Sequence, residues 1–364
     1  LGWGVVIGAV LHFLIQLPYF TRERAEEAVP RGEALRYLRQ VLVLSIPRTF
    51  ALASTQVTIL VLTALASYFA VGSISVFTFA YNLQAVPIAI IGVSYSVAAF
   101  PTLARLFASG EGEKLAAHVE NALRHLLFWS IPLTVLAIVL RAQLVRVILG
   151  TGAFDWSATR LTAAALALFI VSLAAQNVTL LIARTYYAAG NSRKPLYYGL
   201  IDIAVSIGSA LALVALFHSN PTLRLFIESL LRVDNVAGST VLMLALGYAL
   251  GSIAEAIVGY AFFVRDFHIP QARVQRLFWQ SFGASIIGGA AAYGTLALLG
   301  GTGSIATVLG VFLDGLVAGL VGIAVIVAFL YQLKNEELIE VLGAFRRRLL
   351  PGTPLVLEPT DIES

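Results

Sequence analysis

Nine stretches of mostly apolar residues, each about 20 residues long or longer, dominate this sequence. A helix needs about 20 apolar residues to cross the hydrocarbon core of a bilayer, where its backbone polar groups must be satisfied internally. The stretches cover residues 1–20, 41–66, 74–100, 122–140, 158–187, 195–217, 240–264, 280–299 and 304–332. Since 59% of the residues are apolar and only 12% are charged, one water-soluble core cannot bury this surface. The sequence predicts an all-α polytopic membrane protein with about nine transmembrane helices.

Lysine and arginine are distributed unevenly between the two sides of the membrane that these stretches imply. When successive connections are assigned to alternate sides, 18 of the 24 basic residues fall on one side and five on the other, and Arg48 lies within a stretch. Short cytoplasmic loops of membrane proteins carry an excess of Lys and Arg. The imbalance therefore predicts that the carboxy-terminal tail is cytoplasmic and that the first residue starts on the outer side.

A weak internal repeat relates the first and seventh stretches. Gly4-x-x-x-Gly8 and Gly247-x-x-x-Gly251 are each followed, at the same spacing, by two aromatic residues, a β-branched residue, an arginine and an acid. A separation of six helices is typical of transporters that are built from two parallel six-helix lobes. A Gly-x-x-x-Gly pair is also a common surface for helix packing in membranes, so a repeat is one of two interpretations.

The two-lobe interpretation divides the chain into five parts. We expect a last helix of a truncated N-terminal lobe at 1–20, a cytoplasmic linker at 21–40, a six-helix C-terminal lobe at 41–264, two extra transmembrane helices at 265–332 and a cytoplasmic tail at 333–364. The sequence starts at Leu1, inside an apolar stretch and without the features of a signal peptide. We therefore expect this chain to be a fragment of a longer protein.

Four polar residues in the second and third stretches are candidate substrate ligands. Arg48 either extends to the cytoplasmic interface or faces a cavity, where a guanidinium can bind phosphate through two hydrogen bonds. Gln56 lies eight residues later, on nearly the same helical face. Asn82 and Gln84 either bond a neighbouring helix or serve the same cavity.

Three lone carboxylates in later stretches are candidates for ion or proton coupling. They are Asp202, Glu255 and Asp314. An ionisable group in the hydrocarbon region costs at least ~2.5 kcal/mol, so it marks either a functional site or a structural pair. Sequence alone assigns no partner to any of the three.

Residue patterns for catalysis, metals and nucleic acid are weak or absent in this sequence. The chain has no cysteine, and its five histidines show no zinc-binding spacing. The glycine-rich segment at 150–155 lacks the Gly-Lys-Ser/Thr of a phosphate-binding loop, so we expect Asp155 or Ser157 to cap the following helix. The net charge of +4 is scattered along the chain. We predict neither an enzyme nor a nucleic-acid-binding protein, and no cofactor or metal.

Three segments, in order, resemble signatures of one known family. The first reads FAYNLQAVP from Phe79 to Pro87 and continues to FPTLAR at 100–105. The second reads LGTGAFD at 149–155, and the third reads ARTYYAAGNSRKP at 183–195. Together they resemble the MurJ (MviN) lipid II flippases of the MOP exporter superfamily. The resemblance covers essentially the whole chain.

The resemblance implies a fold and a function. Family members have fourteen helices, so this chain would supply helices six to fourteen. It would act in the bacterial cytoplasmic (inner) membrane and carry lipid II, or a similar polyprenyl-pyrophosphate lipid, from the inner to the outer leaflet by alternating access. Its partners would be that lipid and the membrane lipids. The last two helices would form an apolar groove for the lipid tail.

The chain departs from the family pattern at two positions. Asn82 stands where the family usually has an arginine, and we hypothesise that Arg48 replaces that charge. The family's second-lobe aspartate, a sodium ligand in some members, would fall near Leu62, which cannot ligate sodium, so we expect no sodium site at this position. Three alternatives to the flippase remain. One is a related exporter of drugs or of another lipid-linked sugar, a second is a non-transporting membrane scaffold, which the departures favour, and a third is a membrane enzyme.

Overall fold

A computed structural model describes residues 2–22, 31–150, 154–234, 236–300 and 307–349. The described residues form helices joined by short turns, without any β-strand. The helices are α1 (Gly2–Arg22), α2 (Arg31–Ala66), α3 (Ser73–Ala108), α4 (Gly112–Val139), α5 (Arg141–Leu149), α6 (Trp156–Ile170), α7 (Leu173–Ala188), α8 (Arg193–Ser219), α9 (Pro221–Leu231), α10 (Val241–Phe267), α11 (Gln271–Leu298), α12 (Val308–Gln332) and α13 (Glu336–Leu349). The predicted all-α class is confirmed.

Seven of the described helices are long and apolar enough to cross a membrane: α2, α3, α4, α8, α10, α11 and α12. Helices α6 and α7 meet at a bend of 44° and together form an eighth candidate span. The apolar part of α1, Gly2–Pro18, is shorter than a typical span. The chain is therefore a multi-pass membrane protein, and the first of the nine predicted spans stays a prediction.

Three spanning helices begin nine or ten residues earlier than the hydropathy of the sequence predicts. Helix α2 starts at Arg31, within the predicted linker, α4 starts at Gly112 and α11 starts at Gln271. The additional turns contain charged residues among good helix formers, and a hydropathy criterion does not count such turns. The remainder of the linker at 23–30, the start of the last predicted span at 304–306 and the tail beyond 349 lie outside the described residues.

The chain consists of two compact units, Leu1–Ile46 and Pro47–Ser364. In the first unit, the described side chains of α1 are exposed, and His12 and Gln16 share a hydrogen bond of 2.9 Å one turn apart. The second unit contains the rest of α2 and all the later helices. Its apolar core includes Leu62, which is fully buried.

Helices α8 and α10 pack closely because two glycines of α10 face α8. A Cβ atom at Gly247 would lie 2.6–2.8 Å from the Cβ, Cα and backbone nitrogen of Ala210. A Cβ atom at Gly251 would lie within 2.8 Å of the backbone nitrogen of Ser206. The Gly-x-x-x-Gly pair of this helix is therefore a packing surface.

Helix α3 changes its winding next to α7. Pro87 ends a regular α-helical segment, and residues Ile88–Val93 form π-helix before the α-helix resumes at Ser94. Within this turn, Gly92 approaches Asn177 so closely that a Cβ atom would lie 2.1 Å from the Asn177 side-chain oxygen. Proline removes a backbone donor, and glycine permits the close approach. Pro87 of the first family signature and Gly92, which lies between its two parts, thus shape this helix.

Polar contacts define two ends of the second unit. At one end, Lys194 of α8 pairs with Asp266 of α10, and Tyr186 donates to the same carboxylate at 2.6 Å. Arg124 of α4 donates to Glu336 of α13 at 2.6 Å, so α13 lies at this end too, which we call the tail end. At the opposite end, Arg141 donates to the carbonyl oxygen of Leu231 at 3.3 Å.

The second and third family signatures mark turns between helices. Asp155 caps α6 by accepting a 2.7 Å hydrogen bond from the backbone N–H of Ala158, which confirms the predicted cap. Between α7 and α8, Gly190 has a positive φ of 69°, and the Asn191 side chain accepts from the N–H of Arg193 at 3.1 Å. The signature residues described here therefore position helices.

Candidate functional site

A cavity of about 450 Å³ lies among α2, α3, α7, α8 and α10 in the second unit. Four of the predicted site residues line it, one from each of four helices: Gln56, Gln84, Asp202 and Glu255. Exposed alanines at 85 and 89 form part of the wall, so the cavity opens to the surface of the unit. The structure thus brings together polar residues that are up to 199 positions apart in the sequence.

Neutral donors hold the carboxylate of Asp202 at one wall of this cavity. Thr58 of α2 donates to one carboxylate oxygen at 2.9 Å, and Ser206, one turn along α8, donates to the other at 3.1 Å. All three residues are at most 3% exposed. Asp202 has no ion pair with a described basic residue. A buried carboxylate can be held by hydrogen bonds in this way.

A second polar group contains Gln84 of α3 and Gln176 of α7. The Gln176 amide donates to Ser172 at 2.8 Å and to Gln84 Oε1 at 3.4 Å, and the hydroxyl of Tyr248 donates to Gln176 Oε1 at 3.2 Å. Gln84 is fully buried, and its Nε2 has no hydrogen-bond partner among the described residues. An unpaired buried donor costs about 1–3 kcal/mol, so Gln84 Nε2 is an unsatisfied donor in the wall of the cavity.

Aromatic rings surround these polar groups. Tyr81 and Tyr248 meet edge to face with centroids 5.8 Å apart, and each also contacts Phe169 edge to face. Tyr198 lines the cavity at 2% exposure, and its hydroxyl has no partner among the described residues. Tyrosine combines an apolar ring with a polar tip, which suits a wall that faces both lipid-like and polar groups.

Arg48 lies beside the cavity wall. Its guanidinium carbon sits 4.8 Å from the centroid of the Tyr187 ring, and Tyr187 lines the cavity. Arg48 itself is exposed. A cation over an aromatic face is held by the ring quadrupole while its N–H donors remain available to a ligand.

Asn82 and Asp314 do not line the cavity. Asn82 is exposed on α3, two residues from Gln84, and a two-residue step turns about 200° around a helix. Asp314 is half-buried about two turns into α12, a helix that contributes no residue to the cavity wall. A substrate role for Asn82 and a coupling role for Asp314 stay predictions.

The charge of the cavity wall is acidic. Its described lining contains the carboxylates of Asp202 and Glu255 but no lysine, arginine or histidine. Within the described part of the chain, no three His, Cys, Asp or Glu residues cluster as a metal site would require. A cation or a proton therefore suits the inner wall, whereas an anion suits the neighbourhood of Arg48.

Several residues of this site escaped the sequence analysis. Thr58, Gln176 and Tyr248 each sit in an apolar segment, where a polar side chain is a signal of helix contact or of a cavity. That signal was available for Gln176, which interrupts the apolar stretch at 158–187. The pairing of Thr58 with Asp202 depends on how α2 and α8 pack, which a single sequence does not encode locally.

A bundle of spanning helices around a polar cavity is an arrangement that membrane transporters share. The lipid II flippase MurJ family model matches residues 1–314. The chain belongs to the lipid II flippase MurJ family, and with it to the multi-pass proteins of the inner membrane.

Individual relatives and a solved structure agree with this assignment. The chain is 25% identical over 211 residues to the lipid II flippase MurJ of Burkholderia cenocepacia, and 28% identical over 221 residues to the probable lipid II flippase MurJ of Rhizobium tropici. These matches cover 57% and 59% of this chain but only 40% of each relative. The chain thus spans about two fifths of the length of these relatives.

Two further comparisons extend along nearly all of the chain. A probable lipid II flippase MurJ of Thermotoga maritima is 24% identical over 341 residues, which are 93% of this chain and 61% of the relative. The structure of a lipid II flippase MurJ in an inward closed conformation matches with a TM-score of 0.62 at 19% identity, over 95% of this chain and 61% of the other. The structural match shows a shared fold.

Proposed function

We propose that this chain provides the cavity-bearing lobe of a flippase that moves lipid II, the polyprenyl-pyrophosphate-linked peptidoglycan precursor, from the inner to the outer leaflet by alternating access. The name of the family and the names of the relatives support this substrate. A polar headgroup cannot cross hydrocarbon unaided because its charges and amides would lose their water. A cavity with polar walls supplies a substitute for that water.

The unsatisfied polar atoms of the cavity are the observation that carries this proposal. Gln84 Nε2 and the Tyr198 hydroxyl are buried without partners among the described residues, and both residues line the cavity. Buried polar atoms in native proteins are normally paired. A sugar-peptide headgroup offers the hydroxyls and amides that would pair with them, and Gln56 extends the polar wall.

We assign the pyrophosphate and the coupling ion to different parts of the site. Arg48 carries a fixed positive charge beside the cavity and would bind the pyrophosphate. Asp202 and Glu255 would repel that anion, so they would bind a coupling cation or carry a proton. With Leu62 buried in the apolar core, a coupling site in this lobe would depend on Asp202 and not on residue 62.

The last two spanning helices would hold the lipid tail. Helices α11 and α12 pack through Gly288, where a Cβ atom would lie 2.7 Å from the carbonyl oxygen of Gly322. Large apolar side chains of both helices, including Ile286 and Leu320, are exposed. Such a surface accepts a polyprenyl chain, and its contact with bulk lipid allows the tail to remain in the bilayer.

The orientation of the protein follows from its basic residues. The tail end carries most of the lysines and arginines of the described helices, and it would face the cytoplasm. The end that carries Arg141 would then face the outer side.

Obstruction of the cavity tests the proposal directly. Ala85 is exposed and lines the cavity, so Ala85→Trp would fill it without disturbing a buried contact. Ala98→Trp is the matched control because Ala98 is exposed on the same helix and does not line the cavity. We expect the gene with Ala85→Trp to lose complementation of a flippase-depleted strain at normal protein level, whereas Ala98→Trp complements. Full complementation by Ala85→Trp would show that the substrate does not pass through this cavity.

Vesicle experiments separate the alternative functions. If a drug or another polyprenyl-linked sugar inhibits the translocation of lipid II and is itself the preferred substrate, the protein is a related exporter. Binding of lipid II without translocation would favour a scaffold. Translocation of lipid II that Ala85→Trp abolishes is the result that the flippase predicts.

A further inference from the structure

A second cavity lies at the end of the bundle opposite the tail end. Its volume is about 570 Å³, and its wall includes residues from α4, α5, α6, α9 and α11. Three arginines line it: Arg141 at the start of α5, Arg160 in the first turns of α6, and Arg232 at the end of α9. This cavity shares no lining residue with the one around Asp202.

Backbone carbonyl groups hold two of the three guanidinium groups in place, and the Tyr293 side chain holds that of Arg232. Arg141 donates to the carbonyl of Leu231 at 3.3 Å and of Ile138 at 3.4 Å. Arg160 donates through Nε to the carbonyl of Arg232 at 2.8 Å. Neutral carbonyls fix a guanidinium without cancelling its charge, and each group has five N–H donors. The arrangement is therefore rigid and still positive.

Acidic residues do not neutralise this cluster among the described residues. No salt bridge of Arg141, Arg160 or Arg232 is present there, and no Asp or Glu lines the cavity. The nearest acids in sequence have other roles or positions: Asp155 caps α6, and Asp234 is exposed outside the lining. Burial and the neighbouring charge of Arg232 lower the pKa of Arg141, as expected where like charges meet.

The rest of the wall is amphipathic. Trp156 and Tyr293 line the cavity while 40% and 50% exposed, and the Tyr293 hydroxyl accepts from Arg232. Tryptophan and tyrosine are enriched where a membrane protein meets the lipid headgroups. Leu296 and Ala297 complete an apolar side beside the cations. A ligand with an anionic head and an apolar chain fits both surfaces.

We propose that this cavity is a binding site for a phosphate group, through Arg141, Arg160 and Arg232. The group belongs either to an anionic lipid head or to a free phosphate. Guanidinium groups bind phosphate oxygens through paired hydrogen bonds, and several of them gathered without acids make a site for a multiply charged anion. The site stands independently of the transport proposal because it uses a different cavity.

The experiment measures binding by isothermal titration calorimetry of the whole chain in an uncharged detergent at low salt. The probes are dihexanoyl phosphatidic acid, inorganic phosphate and dihexanoyl glycerol, which has the same acyl chains but no phosphate. We compare the wild type with the variant Arg141→Gln, Arg160→Gln, Arg232→Gln. The control removes three charges at exposed positions of the tail end: Arg105→Gln, Arg193→Gln, Arg265→Gln.

We expect phosphatidic acid to bind the wild type and the control with affinities within about twofold. The cavity variant should bind it about tenfold more weakly or worse, since one lost charge-assisted hydrogen bond is worth about that factor. Binding of inorganic phosphate with the same pattern would identify the phosphate alone as the ligand, and binding of phosphatidic acid alone would identify a lipid. Equal affinity of the cavity variant and the control, or equal binding of dihexanoyl glycerol, overturns the site.

A second variant covers the case in which loss of the arginines unfolds the protein. Ala297→Trp fills the cavity from an exposed position and keeps all three cations and the carbonyl contacts of Arg141 and Arg160. We expect it to weaken phosphatidic acid binding by a similar factor while the thermal unfolding temperature stays unchanged. Unchanged affinity in this variant would contradict the proposal on its own.

Discussion

The hydroxyl of Thr58 in α2 donates a 2.9 Å hydrogen bond to the carboxylate of Asp202 in α8, across 144 positions of sequence. This contact ties the helix that carries Arg48 and Gln56 to the helix that carries a candidate coupling carboxylate. It is also fully buried, so water cannot take the place of the hydroxyl. The bond therefore fixes both the packing of the two helices and the direction of the carboxylate.

Loss of the Thr58 hydroxyl should destabilise the second unit. Thr58→Val keeps the shape of the side chain but leaves an Asp202 oxygen without its donor, so we expect the free energy of unfolding to fall by about 1–2 kcal/mol. In a membrane protein the unfolded state also forms hydrogen bonds with other groups, so we expect the loss in the free energy of unfolding to lie toward the lower end of this range. Thermal unfolding in detergent measures it. Thr63→Val is the control because Thr63 lies on the same helix, half-buried, without a side-chain hydrogen bond among the described residues.

The close approach of α8 and α10 should not tolerate a methyl group. Gly247→Ala would place a Cβ atom 2.7 Å from the Cα of Ala210, so the backbones must separate, at a cost of about 1–3 kcal/mol. Gly208→Ala is the matched control because Gly208 is exposed on α8 and a Cβ atom there would meet no described atom within 4 Å. We expect a lower unfolding temperature for the first variant and an equal or higher one for the second. Equal temperatures for Gly247→Ala and the wild type would mean that the helices can separate freely.

The sequence predicts the spanning helices and most polar positions of the cavity because both depend on local composition. An apolar run of sufficient length specifies a span, and a polar residue inside it stands out: Gln56, Gln84, Asp202 and Glu255 were all found in this way. The same signal selected Asn82, although it lies two residues from Gln84 and therefore on another face of α3. Periodicity alone argues that only one of these two amides faces the cavity, but it does not say which.

The remaining features depend on contacts between helices and were beyond the reach of one sequence. The bend between α6 and α7 follows neither a proline nor a glycine, so the local sequence does not predict it. The partners of Asp202 and the stacking of Arg48 on Tyr187 require the packed bundle. The arginine cavity is a similar case, since Arg141, Arg160 and Arg232 are far apart in the sequence and are brought together only by the packing of the helices.

The docking of α13 should depend on pH. Hydrogen bonding to Arg124 lowers the pKa of Glu336, so the ionised form is favoured when α13 contacts α4. A carboxyl group whose pKa is lowered in the folded state contributes stability above its unfolded value of about 4.3, and this contribution disappears as the pH falls through the lowered value. We therefore expect α13 to stay docked at pH 7 and 5 and to loosen below about pH 4.

Spin labels can measure this docking because the chain contains no cysteine. Labels at Ala117→Cys in α4 and Leu342→Cys in α13 occupy exposed positions, and the distance between them should lengthen and broaden below about pH 4. Arg124→Gln should broaden the distance already at pH 7. Lys114→Gln, which breaks the ion pair with Glu111 just before α4, should not. A distance that stays constant from pH 7 to 3 would show that apolar contacts alone hold α13.

Arg48 provides the most direct test of the substrate site. The guanidinium lies 4.8 Å from the Tyr187 ring centroid beside the cavity, where it would bind the pyrophosphate of the substrate. Arg48→Ala removes a charge-assisted contact worth about 1.5–3 kcal/mol, so we expect about tenfold to hundredfold weaker lipid II binding and no complementation of a flippase-depleted strain. Arg48→Lys keeps the charge but loses the planar pair of donors, so it should rescue growth only in part.

Tyr187→Phe keeps the ring that supports the cation and should complement, whereas Tyr187→Leu should not. Arg39→Ala, at an exposed position of the same helix, is the control for a simple loss of charge. Wild-type growth with Arg48→Ala would mean that the arginine only anchors α2 at the membrane interface, and the pyrophosphate would then need another cation.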